Sequence, residues 1–359
     1  MKLKILLTLT IFATSTTALL AQTTNGNVNK VVNHALLYNN ERTEVITPQV
    51  DGYVVLKGDF HLHTMFSDGN VWPTVRVNEA WRDGLDVIAL TDHIEYRPNS
   101  EYTKGDLNTS FDIAKERADQ IGMLIIKGIE ITRSKPDGGH LNALFINDAN
   151  KLDNKDANKQ VDAAMAQGAF IVWNHPGWAI DTCKMFEPNE RWIKEGKIHA
   201  IEIVNEKEYY PRATTWTKDF KLTPMACSDA HDAIKDLYAE GVRRPMTLIF
   251  SQKRDMESIK EALFNQQTLA MFDNQLAGNK KWLEIFFKSA IKVEIFPNNI
   301  CVLKNICDLP ISITSKSFNG TIPALSSVRI KMPEKVLEVK VNNFYISENE
   351  LLETTITIN

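Results

Sequence analysis

The sequence predicts an α/β fold: a distorted seven-stranded (β/α) barrel followed by a small all-β, sandwich-like domain. Three observations predict it. Seven apolar runs of strand length alternate with segments of helical period between residues 53 and 231. Nearly every run ends on a histidine or an acid. Beyond about residue 285 the helical period stops while short β-type runs continue.

The runs are YVVLKGDFHLH (53–63), LDVIALTDH (85–93), MLIIKGIEIT (123–132), HLNALFIN (140–147), AFIVWNHPG (169–177), HAIEIVN (199–205) and PMACSDAH (224–231). Between most of them lie helical segments such as VRVNEAWRDG, FDIAKERADQIG, ANKQVDAAMAQG and ERWIKEGK, several of which stop on glycine. Strand alternating with helix implies parallel pairing, and in a parallel barrel the strand ends share one rim. His140 begins its run instead of ending it. Only about ten residues separate it from Glu130, too few for a helical crossover, so this strand is expected to return antiparallel and bring its start to the same rim. From IKVEIF onward the runs ICVLKN, ISITS, SSVRIKM, KVLEVKV and TTITI predict the β domain.

These readings divide the chain into a segment 1–21, an extension 22–51 expected to drape over the barrel or stay mobile, a barrel 52–284 and a β domain 285–359. The opening MKLKILLTLTIFATSTTALLAQ pairs a basic start with an apolar stretch closing on small residues, the pattern of a cleaved export signal. A periplasmic or extracellular location is therefore expected, without a membrane span after cleavage, because no other stretch offers about 20 apolar residues. Of the 359 residues 24 % are charged, with a net charge of −4, and no lysine- or arginine-rich run stands out. This excludes a strong pull toward nucleic-acid polymers. Cys301 and Cys307 are close enough for a hairpin disulfide or are two buried thiols. Cys183, Cys227, Cys301 and Cys307 form no CxxC pair, so a thiolate zinc site is not indicated.

Six of the eight histidines fall at strand ends: His61, His63, His93, His140, His175 and His231. His34 and His199 read as structural. Gathered on one rim with several carboxylates but without metal, the six would be desolvated and mutually repelling. Residues i and i+2 of a strand face one side, so His61 and His63 can chelate one ion while Asp229 and His231 serve two adjacent ones. Imidazole and carboxylate without thiolate favour zinc, with manganese or iron as alternatives, over calcium or magnesium. Nine candidates (His61, His63, Asp68, His93, Glu130, His140, His175, Asp229 and His231) suffice for three divalent ions. Glu202 and Asp92 are expected to orient histidines from behind. Arg133 is a candidate phosphate clamp, and Tyr209, Tyr210 and Arg212 are candidates for a substrate wall. Trp72, Trp173 and Trp178 read as packing, and Cys227 as core.

DFHLHTMFSDG, LTDH, GIEIT, GHLNALFI, NHPG and CSDAH together resemble the successive motifs of the PHP (polymerase and histidinol phosphatase) family, in order over about residues 52–275. The resemblance implies a distorted seven-stranded barrel with a trinuclear metal centre and, usually, phosphate-ester hydrolysis. Carried over by position, it implies one ion on His61, His63, Glu130 and Asp229, a second on Glu130, His140 and His175, and a third on Asp68, His93 and His231. Two cations sharing Glu130 would lower the pKa of a bridging water, and the third would neutralise phosphoryl charge. Glu130, Asp229, His231 and Arg133 are the expected catalytic set. The expected substrate is a small organic phosphate diester or monoester. Two alternatives stand beside it. One is an amidohydrolase-type C–N or lactone hydrolase, disfavoured because no lysine ends a strand in the right place. The other is a non-catalytic metal- or glycan-binding surface protein. The oligomeric state is not readable.

Overall fold

The computed structural model describes residues 41–331 and 335–357. The segment expected to be an export signal and His34 lie outside the described residues. The first half alternates as expected: β1 (Val54–Asp59), α1 (Pro73–Arg82), β2 (Val87–Leu90), α2 (Thr109–Ile121), β3 (Leu124–Thr132), β4 (His140–Leu144), α3 (Ala157–Met165), β5 (Phe170–Trp173), α4 (Glu187–Lys194), β6 (Ala200–Asn205), a short β7 (Glu208–Tyr209), α5 (Pro211–Phe220) and β8 (Thr223–Cys227). The helix ends follow local chemistry. Proline opens α1, α2 stops at Gly122 with φ 69°, and the Asp156 side chain caps α3 by accepting the Asn158 N–H.

β1, β2 and β3 pair in parallel, as do β5, β6 and β8. β4 runs antiparallel to both neighbours, with Thr132 opposite His140 and Glu130 opposite Asn142. The short spacing between Glu130 and His140 therefore folds as expected.

The strand count differs from the expected seven. α6 (Ile234–Leu237) leads to β9 (Met246–Ser251), α7 (Met256–Phe264), β10 (Thr268–Phe272), β11 (Gln275–Gly278) and α8 (Lys280–Ala290). β9 pairs antiparallel with β1, β10 with β9 and β11 with β10, so the large sheet is mixed. Its backbone ladder does not close, since β8 pairs only with β6 among the described residues. Hydroxyls cross the seam. Thr247 Oγ1 donates to the Ala226 carbonyl and accepts its N–H, both at 3.0 Å, and Thr268 Oγ1 donates to Pro224 O at 2.9 Å. At the rim Leu62 bridges Ala230, whose carbonyl accepts the His63 N–H at 3.1 Å.

The C-terminal strands form two sheets. β12 (Ile291–Phe296), β13 (Ile300–Asn305) and β16 (Ser327–Lys331) make one; β14 (Ile311–Thr314), β15 (Asn319–Ile322), β17 (Val336–Ser347) and β18 (Glu350–Thr357) belong to the other. The second continues the large sheet, because β17 lies parallel to β11 with Leu276 opposite Phe344 and Ala277 opposite Tyr345. The expected division at 284/285 falls inside α8. That helix buries Trp282, Leu283, Phe286, Phe287 and Ala290 on one face, in the same apolar cluster as Cys301, Ile311, Val341 and Phe344. Cys301 and Cys307 are buried free thiols. Part of the extension is pinned down: Ile46 N–H donates to Asp308 Oδ2 at 2.9 Å, and Asp308 N–H donates to Ile46 O at 3.0 Å.

Candidate metal centre

The structure brings all nine candidate ligands together at the rim. His61 and His63 follow the end of β1, fully buried and on one side of the chain. Glu130, also fully buried, lies 3.4 Å from His61 Nε2, 3.5 Å from His63 Nε2, 2.8 Å from His93 Nδ1, 3.0 Å from His140 Nδ1 and 3.7 Å from His175 Nε2. Asp229 lies 3.1 Å from His61 Nε2, 3.0 Å from His63 Nε2, 3.8 Å from His175 and 3.7 Å from His231. Asp68 completes the other side, 3.5 Å from His93 Nε2 and 3.3 Å from His231 Nε2. Four overlapping groups have ligand atoms within 4.8 Å of one another: His63, Asp68, His93 and His231; His61, His175 and Asp229; His61, His63 and Glu130; His93, Glu130 and His140. Two of these residues hold strained backbone, His175 at φ 24° and Asp229 at φ 49°. Such strain persists where the surroundings fix a side chain for use.

Electrostatics in this largely buried cluster pull in opposite directions. Burial alone would lower the His61 pKa, but the carboxylates of Asp229, Glu202 and Glu130 raise it well above the usual histidine range. His63 is pushed down to about 4 by burial and by His93, despite Asp229. His93 rises to about 10, because Glu130 and Asp68 outweigh its burial. Burial would raise Glu130 and Asp229, yet the surrounding histidines hold both well below the usual carboxylate range. Among the described residues His61 Nε2, His63 Nε2, Asp68 Oδ1, Glu130 Oε2, His175 Nδ1 and Asp229 Oδ1 are buried without a hydrogen-bond partner. Buried lone-pair atoms gathered without hydrogen-bond partners fit divalent cations, which relieve both the repulsion and the missing bonds.

Supporting residues fix the ligands from behind. His61 Nδ1 donates to Glu202 Oε1 at 2.8 Å, and Glu202 Oε2 accepts the His175 N–H at 2.8 Å. Arg76, fully buried, donates to the carbonyls of His63 at 2.8 Å, Ala230 at 2.7 Å and Asp232 at 2.7 Å. One guanidinium thus ties the loop after β1 to the loop after β8. The sequence reading passed over Arg76, which only an i, i+3 pairing with Glu79 inside α1 would have hinted at.

Other expectations require correction. Asp92 makes no direct side-chain contact with a histidine among the described residues; it accepts the Thr64 N–H at 2.7 Å and the Ser67 hydroxyl at 2.8 Å, and Ser67 Oγ in turn lies 3.4 Å from His63 Nδ1, so Asp92 reaches a histidine through Ser67. Arg133 lines the small cavity beside His140 and His175, but its guanidinium is already engaged. Its guanidinium donates to Gln160 Oε1 and to Asn154 O at 2.6 Å and lies 2.9 Å from Glu95. Tyr209 stacks on Phe272, Tyr210 is buried and donates to Glu208, and Arg212 pairs with Glu348, so none forms a wall at the cluster. Trp178, read as packing, instead borders a cavity of about 330 Å³ together with Tyr96, Thr132 and most of the ligands. Trp173 does pack, stacked on Trp216, and Cys227 is core.

No family model matches the chain. It superimposes with a TM-score of 0.84 on the crystal structure of a two-domain protein containing a predicted PHP-like metal-dependent phosphoesterase from Bacteroides vulgatus, at 39 % identity over 89 % of this chain and 99 % of that one. A putative metal-dependent phosphoesterase from Bifidobacterium adolescentis aligns with a TM-score of 0.43 at 17 % identity, over 58 % of this chain and 96 % of that one. Among curated proteins, a 5'-3' exoribonuclease of Haemophilus influenzae is 34 % identical over 76 residues, 21 % of this chain. The match spans only 23 % of that protein.

Proposed function

The chain belongs to the PHP-like metal-dependent phosphoesterases, and from that premise we propose that it is an exported hydrolase of small organic phosphate esters, diesters ahead of monoesters. The observation that carries the reading is the convergence of nine imidazole and carboxylate ligands with six buried, unsatisfied donor atoms.

Three divalent ions, zinc first with manganese or iron as alternatives, are proposed on the ligand sets His61, His63, Glu130 and Asp229; Glu130, His140 and His175; and Asp68, His93 and His231. Bound there, such ions supply an activated water and positive charge against the phosphoryl oxygens. The protein's own part is positional. Glu130, held ionised in the buried centre, lies within 3.7 Å of five imidazoles and so fixes their spacing. Asp229 spans the His61 and His63 pair and the outer histidines. His231 donates from Nδ1 to the Asp229 carbonyl at 2.8 Å, which turns Nε2 toward the cavity side of Asp68. Its side chain is 36 % exposed, the most of the six histidines, so it stands where an ester's departing oxygen would leave. In the overall reaction water adds across the P–O bond and the departing oxygen takes the proton. Export rests on the residue pattern of 1–21. A distorted barrel remains the proposed description of the sheet around the site, supported by the hydroxyl seam between β8 and its neighbours β9 and β10.

The test combines elemental analysis of the purified chain with turnover of bis(4-nitrophenyl) phosphate, 4-nitrophenyl phosphate and a lactone. Stoichiometric transition metal, phosphoester turnover and its loss in Glu130→Gln with circular dichroism unchanged are expected. Absence of such metal, or lactone hydrolysis exceeding that of both phosphates, overturns the reading.

A further inference from the structure

Tyr96 and Trp178 are 55 % and 51 % exposed, yet both line the cavity of about 330 Å³ that holds the cluster. Tyr96 stands beside His93, ring centroids 6.2 Å apart, while Trp178 stands beside His140 at 5.9 Å and His175 at 5.5 Å. Flat apolar surface therefore borders a highly polar centre at two separate ligands, and large rings half in water at the edge of a site mark surface that a ligand covers.

Lys135 adds a charge to one of these walls. It lies in the turn between β3 and β4 and lines a smaller cavity, about 100 Å³, that shares His140, His175 and Trp178 with the larger one. Its ammonium sits 5.6 Å from the Trp178 ring centroid. Among the described residues that ammonium forms no hydrogen bond or ion pair. Burial holds its pKa below the ordinary lysine value, against the weaker opposite pull of Cys183 and Glu208. Lysines on a free surface find water or a carboxylate; this part-buried one faces an aromatic ring beside the candidate metal centre with no carboxylate in contact among the described residues, and so can receive an anion.

We propose that Trp178 and Lys135 form the subsite for the organic group of the ester, and that the preferred substrate is an aromatic phosphate ester bearing a second negative charge on or beside its ring. The inference rests on the phosphoesterase reading above. The ring stacks on the exposed face of Trp178, Tyr96 limits the opposite side, and Lys135 takes the additional charge.

The experiment compares phenyl phosphate with 4-carboxyphenyl phosphate, whose departing groups differ mainly in charge, on the metal-loaded chain and on Trp178→Ala and Lys135→Met. Calorimetric binding of phenylphosphonate and 4-carboxyphenylphosphonate gives a readout free of turnover. The carboxylated ester is expected to win by about tenfold in kcat/KM, carried by KM, the size of one charge-assisted contact. Lys135→Met brings that ratio close to one for both ester and phosphonate, and Trp178→Ala raises KM and the phosphonate Kd about tenfold for both compounds. A carboxylate preference that survives Lys135→Met, or phosphonate affinities that ignore Trp178→Ala, overturns the subsite. Phosphonates that bind through these residues while neither these monoesters nor bis(4-nitrophenyl) phosphate turns over would sink the phosphoesterase reading and leave the subsite standing.

Discussion

Glu202 accepts a hydrogen bond from His61 Nδ1 at 2.8 Å and thereby fixes which ring nitrogen faces the cluster. The same carboxylate holds the His175 backbone through its other oxygen, so one buried acid aligns ligands from β1 and β5. Glu202→Gln keeps the shape but removes the charge that strengthens the imidazole as a donor to metal. Metal affinity should fall roughly 10- to 100-fold. Competition against a chelator, read by elemental analysis, checks this; retention equal to wild type would refute the alignment role.

Arg76 offers a second handle. Replacing it with methionine keeps much of the bulk but leaves the carbonyls of His63, Ala230 and Asp232 without their donor. Buried carbonyls stripped of a charged partner cost on the order of 3 kcal/mol together. Thermal unfolding should show a lower Tm, with metal content reduced as the loops carrying His63 and His231 separate. An unchanged Tm would mean that the two loops hold each other without it.

Removing metal should lower stability as well as activity. Ligands that bind only the folded state stabilise it by about 4 kcal/mol at a thousandfold excess over Kd. A chelator should therefore depress Tm by several degrees, and zinc or manganese added back should restore it. Equal melting temperatures with and without chelator would count against bound cations.

His199 gives a pH prediction away from the centre. Its Nδ1 accepts the Ile171 N–H at 3.0 Å, and its ring packs on Phe170 and Phe264. Burial, aided by Lys260, pushes its pKa down to about 4 from an ordinary 6.5. Between these values the unfolded chain binds the extra proton, so stability rises with pH across this window and is lost as pH falls. Going from pH 7 to 5 should cost about 1–2 kcal/mol through this residue. His199→Gln, which cannot titrate, should show a shallower fall in Tm over the same range; parallel curves would contradict the assignment.

Why the ligands could be read from sequence, and their neighbours less so, has a physical reason. His61 and His63, and Asp229 and His231, are chemically distinctive and spaced by two at strand ends, so period and chemistry agree. The return of β4 followed from counting residues between Glu130 and His140. β9 and β10 carry no such mark, because MTLIFS and TLAMF end on nothing reactive. Arg133, just past the end of β3, is taken up by Gln160 and Glu95, partners from distant segments that no residue spacing announces. Asp92 reaches His63 only through Ser67, a relay that residue spacing does not announce. Trp178, Tyr96 and Lys135 sit on loops, whose course follows no period.

The parallel pairing of β11 with β17 has a consequence for anyone trimming the chain. Cutting within α8 would strip Leu276 and Ala277 of their hydrogen-bonded partners and bare a flat, apolar strand margin, an invitation to clumping. The Ile46 and Asp308 clasp would go with it. The last seventy or so residues are thus a structural closure that the catalytic portion cannot shed cleanly, and a protease cutting there should yield precipitate in place of two soluble pieces.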